Sequence, residues 1–323
     1  MDDGLIAMDK QASSWSNYWV SGKPSTFGGI DDLAANPALS QLWLRALTDR
    51  LGSSILEVGC GNGALTRFLP SILKERHPDA TISAIDIARL SDALSPSHGV
   101  TFYPETGMEE LPFDDDSFDA VVSQFGFEYA EFAPALRELA RVSKVGASVT
   151  FIAHHRSSWL CRDSFDILRQ VLAIEESAIL VTLDALVNQL ALLHSANRDP
   201  TKDPKAEKYR EILNVTAKEL QEDARKLGAD PSYTLRFLDA VFKVFDDKSR
   251  RGLNHLQYLA EISESMFAYK ERLESQKRAA PDDDEWEVKS REFVAHGFSI
   301  DRFEPAVING YHFGHLVGLT KAA

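Results

Sequence analysis

Cysteine is scarce in this sequence, and its scarcity excludes several classes of protein. The 323 residues include only Cys60 and Cys161, which are too few and too far apart to form a disulfide framework. No Cys-x-x-Cys pair is present that would begin a zinc site. We therefore expect a protein of a reducing compartment, the cytoplasm.

Long apolar runs and a secretion signal are also missing. No stretch of about 18 uncharged apolar residues occurs, so we expect no segment that spans a membrane. The first residues, Met-Asp-Asp-Gly, supply neither a basic nor an apolar segment. We therefore expect no signal peptide.

Basic residues are outnumbered by acidic ones, and this argues against a dedicated nucleic-acid-binding protein. The chain has 35 Lys and Arg residues and 49 Asp and Glu residues, which gives a formal charge of −14. Such a surface repels phosphate backbones, and the basic residues are scattered among acids. Nucleic acid is therefore an unlikely partner, whereas a basic protein stays open as a macromolecular substrate.

Three segments of the chain differ in pattern. Residues 1–50 form a loop-rich lead-in, and residues 51–155 together with 282–323 alternate apolar runs with helical patterns. Residues 156–281 carry helical periodicity throughout. A stretch of that length is too long for a plain connection, so we predict a helical insertion that serves as a cap or as a dimer interface.

The alternating segment predicts an α/β fold with a mostly parallel sheet, because strands separated by helices form βαβ units. Strands are predicted at residues 54–58, 81–86, 100–103, 118–124, 148–153, 299–307 and 311–319. Helices are predicted at residues 63–74, 134–143, 205–227, 233–245, 253–276 and 285–296.

A glycine-rich turn follows the first predicted strand, in residues 55–64 (Ile-Leu-Glu-Val-Gly-Cys-Gly-Asn-Gly-Ala). Glycine permits a sharp turn and a ligand close to the backbone. Gly59, Gly61 and Ala64 also satisfy the dinucleotide pattern, and Asp86 ends the next strand, where an acid can accept both ribose hydroxyls. A nicotinamide cofactor, an adenosine-methionine cofactor and a ligand-free turn are all open on this evidence.

A later segment separates these alternatives. Residues 109–122 read Glu-Glu-Leu-Pro-Phe-Asp-Asp-Asp-Ser-Phe-Asp-Ala-Val-Val. Together with the glycine turn they resemble class I S-adenosylmethionine-dependent methyltransferases, which carry a Leu-Pro-Phe-x-x-x-Ser-Phe-Asp segment before a central strand. Residues 137–146 resemble the family's following helix and turn, with Val145-Gly146 where the family usually has Pro-Gly. The resemblance covers residues 51–155 and extends to the last 40 residues.

The resemblance implies a small-molecule methyltransferase with a helical insertion and S-adenosyl-L-methionine as its cofactor. It implies a Rossmann-like open sheet of seven strands, mostly parallel with an antiparallel last strand. It assigns Glu57, Gly59 and Gly61 to the methionine part of the cofactor, Asp86 to the ribose, Ile87, Gly107 and Met108 to the adenine, and Gln124 to the sulfonium side. Gly107 stands where family members commonly have Asp.

Substrate contacts are expected after the strand at 118–124, because ligands bind at the carboxyl ends of strands in open α/β sheets. Phe127 and Tyr129 have rings that can face a methyl cation. Glu128 is a candidate to bind a cationic group or to act as a base, and a solvated acid at a helix start is the alternative.

The lead-in contributes an aromatic cluster. Trp15, Tyr18 and Trp19 share one face at helical spacing, with glycines nearby. We predict a lid that brings Tyr18 and Trp19 to the substrate, and simple packing on the sheet is the alternative.

Histidines complete the candidate catalytic groups. His154 and His155 follow the strand at 148–153, and either is a candidate general base because imidazole titrates near neutrality. Adjacent side chains point oppositely in an extended chain, so at most one should face the pocket. His312 and His315 suggest zinc, but no third or fourth ligand is evident from the sequence, so no metal is predicted.

Three functions follow as hypotheses. The first is a cytoplasmic methyltransferase that acts by in-line displacement on a small molecule, with a homodimer open. The second is a nicotinamide-dependent oxidoreductase, which shares the glycine turn and Asp86 but leaves Leu111-Pro112-Phe113 unexplained. The third is a non-catalytic cofactor-binding scaffold whose insertion is an interaction surface. The resemblance favours the first.

Overall fold

The chain divides into two compact units, which are described separately here. The computed structural model describes residues 12–94, 99–226, 231–246, 250 and 252–323. The sheet unit comprises Met1–Arg162 and Glu274–Ala323, and the helical unit comprises Asp163–Leu273. The predicted division at residues 50, 155 and 281 stays a prediction.

Within the described residues, the sheet unit is built on one seven-stranded sheet. Its strands are β1 (Ser54–Val58), β2 (Thr81–Ile85), β3 (Val100–Tyr103), β4 (Phe118–Gln124), β5 (Ser143–Ala153), β6 (Phe298–Ile308) and β7 (Tyr311–Lys321). Their order across the sheet is β3-β2-β1-β4-β5-β7-β6. The pairs among β1 to β5 are parallel, and β7 is antiparallel to both neighbours. The predicted fold class is confirmed.

Helices flank the sheet and make up the second unit. The α-helices are α1 (12–20), α2 (Pro37–Leu47), α3 (Leu69–Leu73), α4 (Phe132–Val142), α5 (Trp159–Glu176), α6 (Ile179–Ser195), α7 (Pro204–Lys226), α8 (Ser232–Phe242), α9 (His255–Ala279) and α10 (Asp283–Ala295). Short 3₁₀ turns lie at Phe27–Gly29, Phe127–Tyr129, Pro200–Lys202 and Lys243–Phe245. The predicted helix end at Leu227 lies outside the described residues.

The helix predicted at 63–74 is wrong in extent, because only Leu69–Leu73 is α-helical. Gly61 and Gly63 have φ of +50° and +80°, a left-handed conformation that a right-handed helix does not contain. The residues between them and α3 form successive turns. The helix begins next to Pro70, since proline is favoured in the first turn, where its missing N–H costs nothing.

Apolar side chains on alternate positions of the strands build a core on each face of the sheet. On β1, Ile55 packs in one buried cluster with Trp43 of α2. The next residue, Leu56, packs in the opposite cluster with Leu136 of α4 and Trp286 of α10. The strands are therefore held by packing on both faces of the sheet, and this packing fixes the loops that follow their carboxyl ends.

Helix α4 holds the segment that precedes β4. Arg141 Nη1 donates to the Phe113 carbonyl at 2.7 Å, and Nη2 donates to the Leu111 carbonyl at 3.1 Å. Glu138 Oε2 accepts from the Leu111 N–H at 2.7 Å. The Leu-Pro-Phe segment therefore has a structural role, because these bonds fix its backbone against the helix.

The helical unit has an apolar core of its own. Leu183, Leu213, Phe237 and Met266, from four helices, are buried in one cluster. A buried polar contact lies beside them, where Gln170 Oε1 accepts from the backbone N–H and the hydroxyl of Thr234 at 3.1 and 3.0 Å. Among the helices of the described chain, none has the length and apolarity that crossing a bilayer requires.

Candidate functional site

A cavity of about 280 Å³ lies in the sheet unit, at the carboxyl ends of β1, β2 and β4. Strand order reverses between β1 and β4, and open α/β sheets bind ligands at such a switch point. The residues that the resemblance assigns to the cofactor all line it, and these are Glu57, Gly59, Gly61, Asp86, Ile87, Gly107, Met108 and Gln124. Their individual roles stay predictions.

The glycine turn lies too close to its neighbours to carry side chains. A Cβ on Gly59 would lie 2.6 Å from Gly126 Cα, and one on Gly61 would lie 2.6 Å from the Trp19 ring. Both glycines have positive φ. Asp86 fixes the turn, because its Oδ2 accepts from the Gly61 N–H at 2.7 Å while its Oδ1 accepts from the Ala88 N–H at 2.9 Å.

Three buried carboxyl groups face the cavity. Burial raises the pKa of Glu57 to about 8 and that of Asp86 to about 6. Burial also raises the pKa of Asp31. Glu57 Oε2 and Asp31 Oδ1 have no hydrogen-bond partner among the described residues. Uncompensated buried carboxylates are costly, so this wall of the cavity favours a positively charged ligand.

The sequence analysis missed Asp31. It is 6% exposed, and its Oδ2 accepts from the Thr26 N–H at 2.8 Å and the Thr26 hydroxyl at 2.5 Å. Its neighbours in sequence form a polar, glycine-containing loop, which gives no signal of burial. Gln124 secures this loop, because its amide donates to the Asp31 carbonyl at 2.8 Å and accepts from Trp43 Nε1 at 2.7 Å.

Helix α1 of the lead-in and the loop after it cover the glycine turn. Asn62 Nδ2 donates to the carbonyls of Trp19 and Lys23, at 2.9 and 2.7 Å. Trp15 stacks on Trp19 with ring centroids 5.9 Å apart and meets the Tyr129 ring edge-on at 5.8 Å. All three of these rings line the cavity. The cavity is therefore lined by aromatic rings as well as by carboxyl groups.

Two residues predicted at the substrate lie elsewhere. Tyr18 points to the backbone of its own loop, where its hydroxyl donates to the Ser25 carbonyl at 2.8 Å, and it does not line the cavity. Phe127 is 3% exposed and stacks on Phe151 at 5.0 Å in the core. The 3₁₀ turn at Phe127–Tyr129 rotates successive side chains apart, so Tyr129 alone of its residues reaches the cavity.

His154 lines the cavity and is fully buried. Its ring stacks on Phe125 at 4.4 Å, and neither ring nitrogen has a partner within the described chain. Burial lowers its pKa to about 3, so the imidazole is neutral near pH 7. A neutral imidazole has one N–H donor and one acceptor, but at this pKa it is a weak base.

Glu128 lies behind His154 and does not line the cavity. Its Oε1 accepts from the His154 backbone N–H at 2.6 Å. Burial raises its pKa to about 7. The carboxyl group therefore anchors the end of β5 rather than contacting the cavity.

His155 points away from the cavity, as alternation along an extended chain predicts for one of the two histidines. It lies with His312 and His315, and one ring nitrogen from each falls within 4.8 Å of the others. No third ligand for His312 and His315 is evident from the sequence, but the pairing of β5 with β7 brings His155 to them. Burial lowers the pKa of His312, and it lowers that of His315 to about 4.

The stability of the sheet unit is expected to fall between pH 6 and pH 8. Glu57 has a folded-state pKa of about 8 against an unfolded value near 4.3. The folded state therefore binds more protons in this range, and its stabilisation is lost as the pH rises through 8. We expect the free energy of unfolding to drop by roughly 2 kcal/mol. Urea unfolding followed by tryptophan fluorescence measures it.

The matched variant is Glu57→Gln, which has nearly the same shape but does not titrate. Its unfolding free energy should fall by roughly 2 kcal/mol less than that of the parent over the same range, because other groups with shifted pKa values, such as Glu128 and His154, titrate in both proteins. A slope equal to that of the parent protein would assign the pH dependence to another group. All five tryptophans, at positions 15, 19, 43, 159 and 286, lie in the sheet unit, so the fluorescence reports on that unit.

Comparison with known proteins finds similarity to methyltransferases in the first half of the chain. A family model described as a methyltransferase domain matches residues 56–151. A malonyl-[acyl-carrier protein] O-methyltransferase of Brevibacillus brevis is 32% identical over 132 residues, which cover 39% of this chain and 48% of that protein. An uncharacterized protein of Mycobacterium tuberculosis is 31% identical over 116 residues, which cover 35% of this chain and 40% of that protein.

The similarity is confined to part of each protein. The chain spans less than half the length of the curated relatives it matches. Among solved structures, an S-adenosylmethionine-dependent methyltransferase of Mesorhizobium loti is 25% identical, with a TM-score of 0.29, over 35% of this chain and 52% of that one.

Proposed function

We propose that this chain, in which residues 56–151 match a methyltransferase-domain model, transfers a methyl group from S-adenosylmethionine to a small-molecule nucleophile. The observation that carries the proposal is the convergence of all eight cofactor-assigned residues on one cavity at the switch point of the sheet. S-adenosylmethionine supplies the methyl group from its sulfonium, and the bond to the nucleophile forms as the bond to sulfur breaks.

The electrostatics of the cavity fit this cofactor. S-adenosylmethionine carries a sulfonium and an ammonium group, and the cavity offers the carboxyl groups of Asp31, Glu57 and Asp86. Two of them have an oxygen without a partner in the described part of the chain. Asp86 lies at the carboxyl end of β2, where the resemblance puts the ribose.

The aromatic lining of the cavity suits methyl transfer. Trp15, Trp19, Tyr129 and Phe125 belong to it, and aromatic faces attract a cation at close range. They also exclude water, which matters because the positive charge is dispersed in the transition state.

We assign the acceptor contact to His154. His154 lines the cavity, its two buried ring nitrogens have no partner within the described chain, and a neutral imidazole has one donor and one acceptor. A base with a pKa of about 3 removes protons poorly near pH 7. We therefore propose that His154 orients the nucleophile and that positioning supplies most of the rate. Glu128 acts indirectly, by holding the backbone of His154.

The oxidoreductase and scaffold hypotheses are tested by the same measurements. Isothermal titration of the purified full chain with S-adenosylmethionine, S-adenosylhomocysteine and NADH should give micromolar binding of the first two only. Binding of NADH alone would overturn the proposal. Transfer from radiolabelled S-adenosylmethionine is then screened against small carboxylates, phenols, amines and thiols, with a basic protein as a macromolecular acceptor.

A matched pair of variants tests His154 once an acceptor is found. His154→Gln keeps a donor and an acceptor, whereas His154→Leu removes both. We expect kcat to fall at least tenfold in the leucine variant and to recover in part in the glutamine variant, with unchanged cofactor affinity. Equal activity in both variants would remove His154 from the mechanism.

Location and assembly are part of the proposal. Both cysteines are free and buried, which suits the reducing cytoplasm. The helical unit is proposed as a cap or as the interface of a homodimer. Light scattering during size-exclusion chromatography distinguishes a dimer from a monomer, and a monomer favours the cap.

A further inference from the structure

Three histidines form a cluster in the sheet unit, apart from the cavity. His155 follows β5, and His312 and His315 belong to β7. Residue 153, two positions before His155, pairs with His315 in the antiparallel ladder. The ring centroid of His155 lies 5.0 Å from that of His312 and 4.6 Å from that of His315. None of the three lines the cavity, so the cluster is separate from the proposed methyl-transfer site.

The cluster contains unsatisfied donors and acceptors. His312 Nε2 and His315 Nδ1 are buried and have no hydrogen-bond partner among the residues that the structure describes. His315 is 7% exposed. Leaving such groups unpaired costs roughly 1–3 kcal/mol each. Two unpaired nitrogens within reach of a third imidazole therefore need a common partner.

We propose that His155, His312 and His315 bind a divalent transition-metal ion, with zinc the best fit. Three imidazole nitrogens with an open fourth position are a known zinc ligand set. Tetrahedral bonds of about 2.0–2.1 Å put the nitrogens roughly 3.3 Å apart. The present spacing, within 4.8 Å, closes to that value by small rotations of the rings.

The hydrogen bonds of His155 indicate where its ring proton lies. The Ser157 backbone N–H donates to Nδ1 at 3.2 Å, so Nδ1 is an acceptor, with the Ser157 hydroxyl 2.9 Å away. The proton is therefore on Nε2, which donates to Asp283 Oδ1 at 3.1 Å. A metal ion that binds Nε2 displaces this proton, and the Asp283 carboxylate already lies beside the nitrogen that the ion would bind.

Asp283 completes the site. Its side chain is 91% exposed, so it can rotate inward as a fourth ligand or leave the position to water. The neighbouring acids are engaged elsewhere, because Asp282 and Glu285 form salt bridges with Arg156. The ion would connect the end of β5 to β7 and to the start of α10, and it would fix the backbone next to His154.

Cobalt and zinc titrations of the full chain, freed of any histidine tag and treated with EDTA, test the proposal. We expect one equivalent of Co²⁺ to give the intense visible absorption of a four-coordinate site, and one equivalent of Zn²⁺ to abolish it. His315→Gln and His312→Gln should each weaken Zn²⁺ binding at least tenfold against a chromophoric chelator. His77→Gln, which changes a histidine outside the cluster, should have no effect.

Two results would overturn the metal site. One is the absence of saturable Co²⁺ absorption in the parent protein, which does not depend on any variant folding correctly. The other is unchanged Zn²⁺ affinity in both cluster variants, with circular dichroism showing that they are folded. The proposal is independent of methyl transfer, because these readouts involve no activity.

Discussion

Asp86→Ala is expected to weaken binding of S-adenosylmethionine by about 10- to 100-fold. The carboxylate accepts from the Gly61 and Ala88 N–H groups, and the resemblance assigns it to the ribose. Hydrogen bonds to a charged group contribute roughly 1.5–3 kcal/mol each, so loss of one ligand contact alone gives this range. Isothermal titration at pH 8 measures it, because Asp86, with a pKa of about 6, is ionised there.

Asp119→Ala is the control for that variant. Asp119 Oδ2 also accepts from two backbone N–H groups, those of Ser53 and Ser54, both at 3.0 Å. It lies at the start of β4, at the opposite edge of the sheet from the cavity. This variant should lose stability and keep its affinity for the cofactor. If both variants bind equally well, the ribose assignment of Asp86 fails.

Gly59→Ala is expected to destabilise the sheet unit by at least about 3 kcal/mol. The new methyl group would lie 2.6 Å from the Gly126 Cα, and backbone atoms cannot move aside as a flexible side chain can. The left-handed φ of +69° adds roughly 1–2 kcal/mol for a residue with a Cβ. Urea unfolding, followed by the tryptophans of the sheet unit, measures the change.

Gly146→Ala separates the two causes. Gly146 also has a left-handed φ, +82°, but a Cβ there would meet no described atom within 4 Å. We expect this variant to lose only the conformational part, roughly 1–2 kcal/mol. Equal losses in the two variants would mean that the contact of Gly59 with Gly126 contributes nothing of its own.

The sequence predicted four of the five parallel strands to within a residue, because each consists of apolar residues bounded by turns. The fifth, predicted at 148–153, begins five residues earlier, at Ser143, directly after α4. The four-residue strand at Val100–Tyr103 was predicted with its bounds. The sequence predicted α3 poorly. The helical pattern was taken to start at Gly63, but the positive φ values of Gly61 and Gly63 prevent an α-helix there. Local pattern does not report backbone handedness at glycine.

For the site, the sequence was informative about residues whose position depends on a local turn. It was uninformative about residues whose position depends on packing against distant segments. The glycine turn and Asp86 are close in sequence and meet as predicted at the cavity. Phe127 and Tyr129 are both aromatic and follow the same strand, so the sequence does not distinguish them, but Phe127 packs in the core whereas Tyr129 lines the cavity. Asp31 and the grouping of His155 with the β7 histidines depend on distant segments, so no local signal reveals them.

The place of β7 in the sheet has a consequence for synthesis on the ribosome. β7 lies between β5 and β6, yet it emerges about 160 residues after β5 ends. At about 5–20 residues per second, the edge of β5 stays unpaired for roughly 8 to 30 s. Unpaired strand edges invite association with other chains. The helical unit, which has a separate core, is translated during this interval. The apolar surface of that unit can therefore be buried before the sheet is complete.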